Sequence, residues 1–254
     1  MGESIAPHEL FRRMLAGEIT KTSQASPAEY EEFFETFLKE GKDVLHITLS
    51  GGLSGTVNSA RLAAQMLEEK YPDRKVLVAD SLGASAGYGL LMDYLVEKRD
   101  QGAGIEELYA YAEEIRLNIH HWFFSTDLTF YIRGGRVSKA AGMIGTMLKI
   151  CPLLNVDSDG LLIPREKVRG KKQVSKRIVA KMLEHAEGGA DYSGRCFISH
   201  SDCYEDARNV ADMIEAAFPK LYGKVRIFPI CATVGSHTGP GTVALFFMGD
   251  ERTK

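Results

Sequence analysis

The chain has 254 residues, 44% of them apolar and 26% charged, and a formal net charge of −3, which fits one large or two modest globular domains. That charge gives no electrostatic footprint for nucleic acid, and no apolar run approaches the ~18 residues of a membrane span. The four cysteines (Cys151, Cys196, Cys203, Cys231) show no C-x-x-C spacing, so they read as reduced, mostly buried thiols, with no metal site expected.

Residues 1–13 are amphipathic and charged and lack a signal-peptide apolar segment. Position 6 is Ala where N-myristoylation requires Ser or Thr, so a cytoplasmic location is expected. Ser26-Pro27-Ala28-Glu29 then reads as a capping box that starts a helix ending near Gly41. A strand is predicted over 43–49, a helix to about residue 70, a strand over 75–79, a helix to about 98 and another over 105–117. This β-α-β-α order implies a parallel sheet with helices on its faces, and ligands in such sheets sit beyond the carboxyl ends of the strands. Ser50 and Ser81 both hold such positions.

The pattern changes after residue 118. A strand is predicted over 122–125, then a polar segment containing Arg133-Gly134-Gly135-Arg136. Asp157-Ser158-Asp159-Gly160 between two apolar runs signals a hairpin. Helices follow over 172–187 and 205–218, with strands at 196–200, 225–230 and 243–248. The expected fold is therefore α/β in two domains: 1–117 with a parallel sheet, and 118–254 with a mixed or antiparallel one, the ligand lying between them.

Three polar segments stand out. Ser50-Gly51-Gly52-Leu53-Ser54-Gly55-Thr56 joins a strand to a helix, so its backbone N–H groups and the helix dipole favour an anion. No Lys follows the glycines, which weakens a P-loop reading. Gly52-Leu53-Ser54-Gly55-Thr56 falls one residue short of the G-x-S-x-G nucleophile elbow, so a serine hydrolase using Ser54, His237 and Asp80 or Asp202 stays open as the alternative. Lys21-Thr22-Ser23-Gln24 lies upstream of the cap, which leaves Thr22 free for a ligand. Gly235-Ser236-His237-Thr238-Gly239-Pro240-Gly241 reads as a loop between two late strands, with His237 facing a ligand; a histidine can hydrogen bond a carboxylate. The basic groups Arg133/Arg136/Lys139 and Arg165/Lys167/Arg169/Lys171/Lys172 read as solvated surface or as a site for an anionic partner or membrane surface.

In order, Lys-Thr-Ser-Gln-x-Ser-Pro, Ser-Gly-Gly-Leu-Ser-Gly-Thr, Asp80-Ser81 with Ser85, Arg-Gly-Gly-Arg-Val-Ser-Lys, Val168-Arg-Gly-Lys-Lys and Gly-Ser-His-Thr-Gly-Pro-Gly resemble the DegV family across nearly the whole chain. The resemblance implies a non-catalytic fatty-acid carrier, without cofactor, that serves a bacterial fatty acid kinase in phospholipid metabolism. It implies that Thr22, Ser50 and His237 hold the carboxylate of a long-chain fatty acid, with Gly51, Ser81, Ser85 and Thr238 in the same ligand-binding set. The acyl tail would lie in an apolar tunnel, the kinase would convert the carboxylate to an acyl phosphate, and Arg133, Arg136 and Arg169 would meet the partner. The family's first strand, ending in a Thr-Asp-Ser-like segment, has no counterpart here. Gly51 and Gly83 stand where Ser is common.

Overall fold

The structure, a computed structural model, describes residues 5–138 and 150–254; Lys139 of the basic segment lies outside them. Helix α1 spans Pro7–Leu15 and α2 spans Pro27–Leu38. The capping box forms: the Glu29 N–H donates to Ser26 Oγ at 3.3 Å, and the Ser26 N–H donates to the Glu29 carboxylate at 2.7 Å. Strands β1 (Val44–Thr48) and β2 (Val76–Asp80) pair in parallel, joined by α3 (Thr56–Lys70). Helices α2 and α3 bury Phe34, Leu38, Val57, Ala60 and Leu67 against one face of this small sheet. Helices α4 (Ala86–Asp100) and α5 (Ile105–Ile115) cover the other face with Leu90, Leu91, Leu108 and Ala112.

The second sheet uses β3 (Ile119–Phe124), β4 (Ile150–Val156), β5 (Leu162–Arg169), β6 (Cys196–His200), β7 (Arg226–Pro229) and β8 (Val243–Met248), in the order β5-β4-β3-β8-β6-β7. All its pairings are antiparallel except β6 with β7. Helices α6 (Thr129–Arg133), α7 (Lys171–His185), α8 (Tyr204–Ala217) and α9 (Ala232–Thr238) connect these strands. A mixed α/β fold with a small parallel sheet and a larger mixed sheet is what the sequence pattern implied.

Strand periodicity divides the core. Trp122, Phe124, Leu245 and Phe247 face α7 and α8. Ile119, Phe123, Ala244 and Phe246 point the other way, into a cluster that also holds Ile47, Ala79 and Leu90. One apolar layer thus runs from the small sheet through α4 to the large one, and each large side chain buried in it stabilises by about 1.5–3 kcal/mol.

Three sequence expectations change. Strand β3 starts at Ile119, because His120 and His121 are both buried within it. Strands β4 and β5 run well beyond the expected hairpin. His237 is not in a loop: residues 232–238 form α9, and Gly239, at φ +66, ends it.

The β4–β5 hairpin reaches back to the glycine-rich turn. Its tip is closed by Asp157 Oδ1, which accepts from the Asp159 and Leu161 N–H groups at 3.0 and 2.9 Å. A side chain at Gly52 would strike the carbonyls of Asp159 and Gly160, so glycine there lets the two sheets approach. Arg252, 3% exposed, locks the same junction. Its guanidinium donates to the carbonyls of Val156, Asp157, Leu82 and Arg116 at 2.9–3.1 Å.

Candidate functional site

A cavity of about 640 Å³ lies between the carboxyl ends of β1 and β2 and the inner face of the large sheet. That size suits a small-molecule site. The turns after β1 and β2 supply Leu53 and Ala84, while β3 and β8 supply Phe123 and Phe246. The apolar inner face of the sheet therefore becomes the cavity wall wherever α4 and α5 do not cover it.

One part of the wall is polar. The extended segment after α1 brings Thr22 Oγ1 to 2.8 Å from His237 Nε2 in the last turn of α9. Phe11 and Met14 of α1 pack with Phe130 and fix the path of that segment. Arg136 also lines the cavity, its guanidinium donating to the Leu53 carbonyl at 2.9 Å. Burial, and then the charge of Arg136, hold His237 below the ordinary imidazole range. Helix α3 opens at Thr56, whose N–H donates to Ser54 Oγ at 3.3 Å, and Ser54, Thr56 and the preceding Gly55 line the same space. A positive helix end and a permanent cation therefore meet in a cavity whose described lining residues include no Asp or Glu. Chemically, this arrangement complements a compact anion joined to an apolar body.

The expected ligand-binding residues divide into two groups. Thr22, Ser85, His237 and Thr238 line the cavity. Ser85 holds φ +55 at the start of α4 and donates from Oγ to Ser199 Oγ at 3.0 Å, a strained conformation of the kind that collects at functional sites. Ser50, Gly51 and Ser81 are not among the lining residues. Ser50 is fully buried and its hydroxyl donates to the Gly160 carbonyl at 2.9 Å while accepting from the Gly52 N–H at 3.1 Å. The Gly51 N–H donates to the Asp80 carboxylate at 3.0 Å, so an internal anion occupies that part of the turn. Ser81 closes its own turn by accepting from the Gly83 N–H at 3.1 Å. The hairpin tip takes Ser50 and Asp80 takes Gly51, tertiary effects that local sequence does not encode, whereas Ser81 is turned away by its own turn.

Arg136 moves the other way, from expected partner surface to cavity wall. Arg133 is exposed with its guanidinium over the Phe130 ring, and Arg169 is exposed at the end of β5. The hydrolase arrangement does not assemble. Ser54 Oγ pairs with Thr56 Oγ1 at 2.7 Å, Asp80 accepts from the Gly51 and Leu82 N–H groups, and Asp202 pairs with His8. The hydrogen bond that His237 makes goes to Thr22, not to a carboxylate, and its Nδ1 is buried without a partner among the described residues.

His121 is a lining residue that the sequence reading missed. Its Nδ1–H donates to the Ile119 carbonyl at 2.9 Å, and its Nε2 accepts from the Ala84 N–H at 3.3 Å. The ring fills the space beside Gly83 and Gly87, where any side chain would overlap it. Gly83 in place of the common Ser was the available signal.

Comparison with known proteins agrees with this architecture. Residues 1–250 match the family described as "Uncharacterised protein, DegV family". A DegV domain-containing protein of Clostridium perfringens is 35% identical over 248 residues, covering 98% of this chain and 84% of that protein. A fatty-acid-binding DegV family protein from Thermus thermophilus superposes with a TM-score of 0.85 at 28% identity, covering 96% of this chain and 84% of that one. The fatty acid kinase (Fak) B3 protein of Streptococcus pneumoniae, solved with linoleic acid, gives a TM-score of 0.86 at 25% identity, covering 98% and 85%. Among the described residues no helix is long and apolar enough to cross a membrane. On the extent of the family match and of the identity to its relatives, this chain belongs to the DegV family.

Proposed function

We propose that this protein binds a long-chain fatty acid in the cavity and presents its carboxylate to a kinase partner for conversion to an acyl phosphate. The observation that carries the reading is the Thr22–His237 pair beside Arg136, in a cavity whose described lining also holds apolar side chains such as Phe123, Leu162 and Phe246 and no Asp or Glu. An unpaired carboxylate out of water is very costly; here Thr22, His237 and Arg136 offset that cost. Ser85 and Thr238 complete the polar wall, while Ser50, Gly51 and Ser81 support the site from behind. Each buried CH₂ of the tail contributes about 0.8 kcal/mol, so the tail supplies most of the affinity. The relation to the Streptococcus pneumoniae fatty acid kinase protein supports the kinase partnership. The exposed Arg133 and Arg169 are the groups we assign to the partner, or to transient contact with an anionic membrane surface.

Delipidated protein titrated with a fatty acid and with its methyl ester tests this reading. The acid binds at least tenfold more tightly than the ester, and Arg136→Ala removes most of the difference. Equal affinity for acid and ester would overturn the carboxylate assignment. Absence of any lipid on native mass spectrometry, before and after loading, would overturn the carrier reading itself. Reconstitution with a fatty acid kinase, read as acyl phosphate formed, tests the presentation step.

A further inference from the structure

A separate cluster lies on the opposite face of the large sheet from the cavity. His120 and His121 are neighbours on β3, so their side chains point to opposite faces. His121 faces the cavity; His120 faces α7. Among the described residues, His120, His185 and Asp250 bring three ligand atoms within 4.8 Å of one another. They come from β3, the last residue of α7, and the segment after β8.

The cluster is held from several directions. His120 Nε2 lies 2.8 Å from Asp250 Oδ1, and His185 Nδ1 lies 3.2 Å from the same oxygen. The His120 ring stacks between those of His185 and Phe247, with centroids 5.0 and 5.1 Å away. Packing therefore aims Nε2 at Asp250, whose backbone carbonyl oxygen lies 2.9 Å away, beside the carboxylate. The main chain is fixed as well: the Asp250 N–H donates to the His185 carbonyl at 3.0 Å, and the Gly249 N–H donates to the Asn118 carbonyl at 2.8 Å. A side chain at Gly249 would overlap the His185 carbonyl and crowd His120, so glycine there is what brings the three residues together. His120 is buried, His185 is 30% exposed and Asp250 is 62% exposed. One side is thus open to water.

We propose that His120 Nε2, His185 Nδ1 and the Asp250 carboxylate form a binding site for a divalent transition-metal ion of the zinc type. Two imidazoles and one carboxylate are a donor set such ions favour, with water as the fourth ligand. Tetrahedral coordination at zinc–nitrogen distances near 2.0–2.1 Å places ligand atoms about 3.4 Å apart. The two Asp250 separations are already close to that, and the exposed Asp250 side chain has room to adjust. An ion here would tie the end of α7 to β3 and to the segment after β8. It would act independently of the fatty-acid reading, because the ligands lie across the sheet from the cavity.

Trp122 is the sole tryptophan of the chain, and its ring stacks on that of His185 at 5.7 Å. It is therefore a built-in reporter. Full-length protein stripped with chelator is titrated with Zn²⁺ by calorimetry and with Co²⁺ by Trp122 fluorescence and visible absorption. The expected result is one Zn²⁺ per chain, quenching of Trp122 by Co²⁺ with tetrahedral ligand-field bands, and a rise in Tm on adding Zn²⁺. Asp250→Asn and His185→Gln each weaken Zn²⁺ binding at least tenfold, while Asp250→Asn keeps the metal-free Tm of the parent and both variants keep its fatty-acid affinity. Absence of Zn²⁺ binding by the parent, or binding unchanged in both variants, overturns the site. Should His185→Gln fold poorly, the exposed Asp250→Asn decides alone.

Discussion

Thr22 Oγ1 and His237 Nε2 lie 2.8 Å apart although 215 residues separate them in sequence. The segment after α1 and the C-terminal turn of α9 meet only because α1 packs against α9 and α6. The pair therefore reports both the integrity of that packing and the readiness of the site. His237→Ala removes the group that the cavity buries beside Arg136, and fatty-acid affinity should fall at least tenfold. Thr22→Val keeps the shape and loses one hydrogen bond worth about 0.5–1.5 kcal/mol, a two- to tenfold loss. Displacement of a fluorescent fatty acid measures both.

A pH dependence follows from the lowered pKa of His237. Its folded-state value lies below the unfolded one, near 6.5, so the unfolded state binds more protons between the two. Stability is therefore fully present above about pH 6.5 and declines as pH falls through the folded pKa. Urea titrations of ligand-free protein at several pH values should show that decline, with a smaller slope in His237→Gln. A bound carboxylate opposes the effect by stabilising the imidazolium.

Ser50→Ala separates docking from head-group binding. The hydroxyl is fully buried between the Gly160 carbonyl and the Gly52 N–H. Its removal leaves both without that partner and should cost about 1–3 kcal/mol of stability. The urea midpoint should fall, while fatty-acid affinity changes less than in His237→Ala.

Arg252→Met should be among the most destabilising changes in the chain. Four carbonyls from both sides of the sheet junction lose a charged donor, and leaving buried acceptors unsatisfied costs about 1–3 kcal/mol each before relaxation. A total loss of about 3–5 kcal/mol is expected by equilibrium denaturation.

Gly87→Ala runs against the usual helix rule. Alanine in a helix ordinarily stabilises by about 0.4–1 kcal/mol relative to glycine. Here the new methyl would overlap the His121 ring and crowd Phe246, an overpacking that costs about 1–3 kcal/mol. His121→Ala should relieve the larger overlap and make the cost of Gly87→Ala smaller, while the contact with Phe246 remains, a coupling that a double-mutant cycle on urea midpoints reads directly.

Local chemistry made part of this protein legible in its sequence. The Ser26 capping box, the parallel β1–β2 pair and the glycine-rich turn follow from side-chain preference and apolar spacing within a few residues. Thr22, Ser50 and His237 stood out as polar groups that capping did not explain, and the resemblance to the family, not local chemistry, joined them into one ligand-binding set. Strand β3 was less legible, because both of its faces are covered and its two histidines broke the apolar run that would have marked its start. Only tertiary packing decided where the polar groups point. The β4–β5 hairpin took Ser50 for its own backbone, and Asp80 took the Gly51 N–H that sequence had offered to a ligand. Arg136 turned inward to the cavity, and His120, His185 and Asp250 converged from three distant segments. Hydrogen bonds within a turn are set by neighbours in the chain, whereas the partner of a buried polar group is set by whichever element the fold brings alongside it.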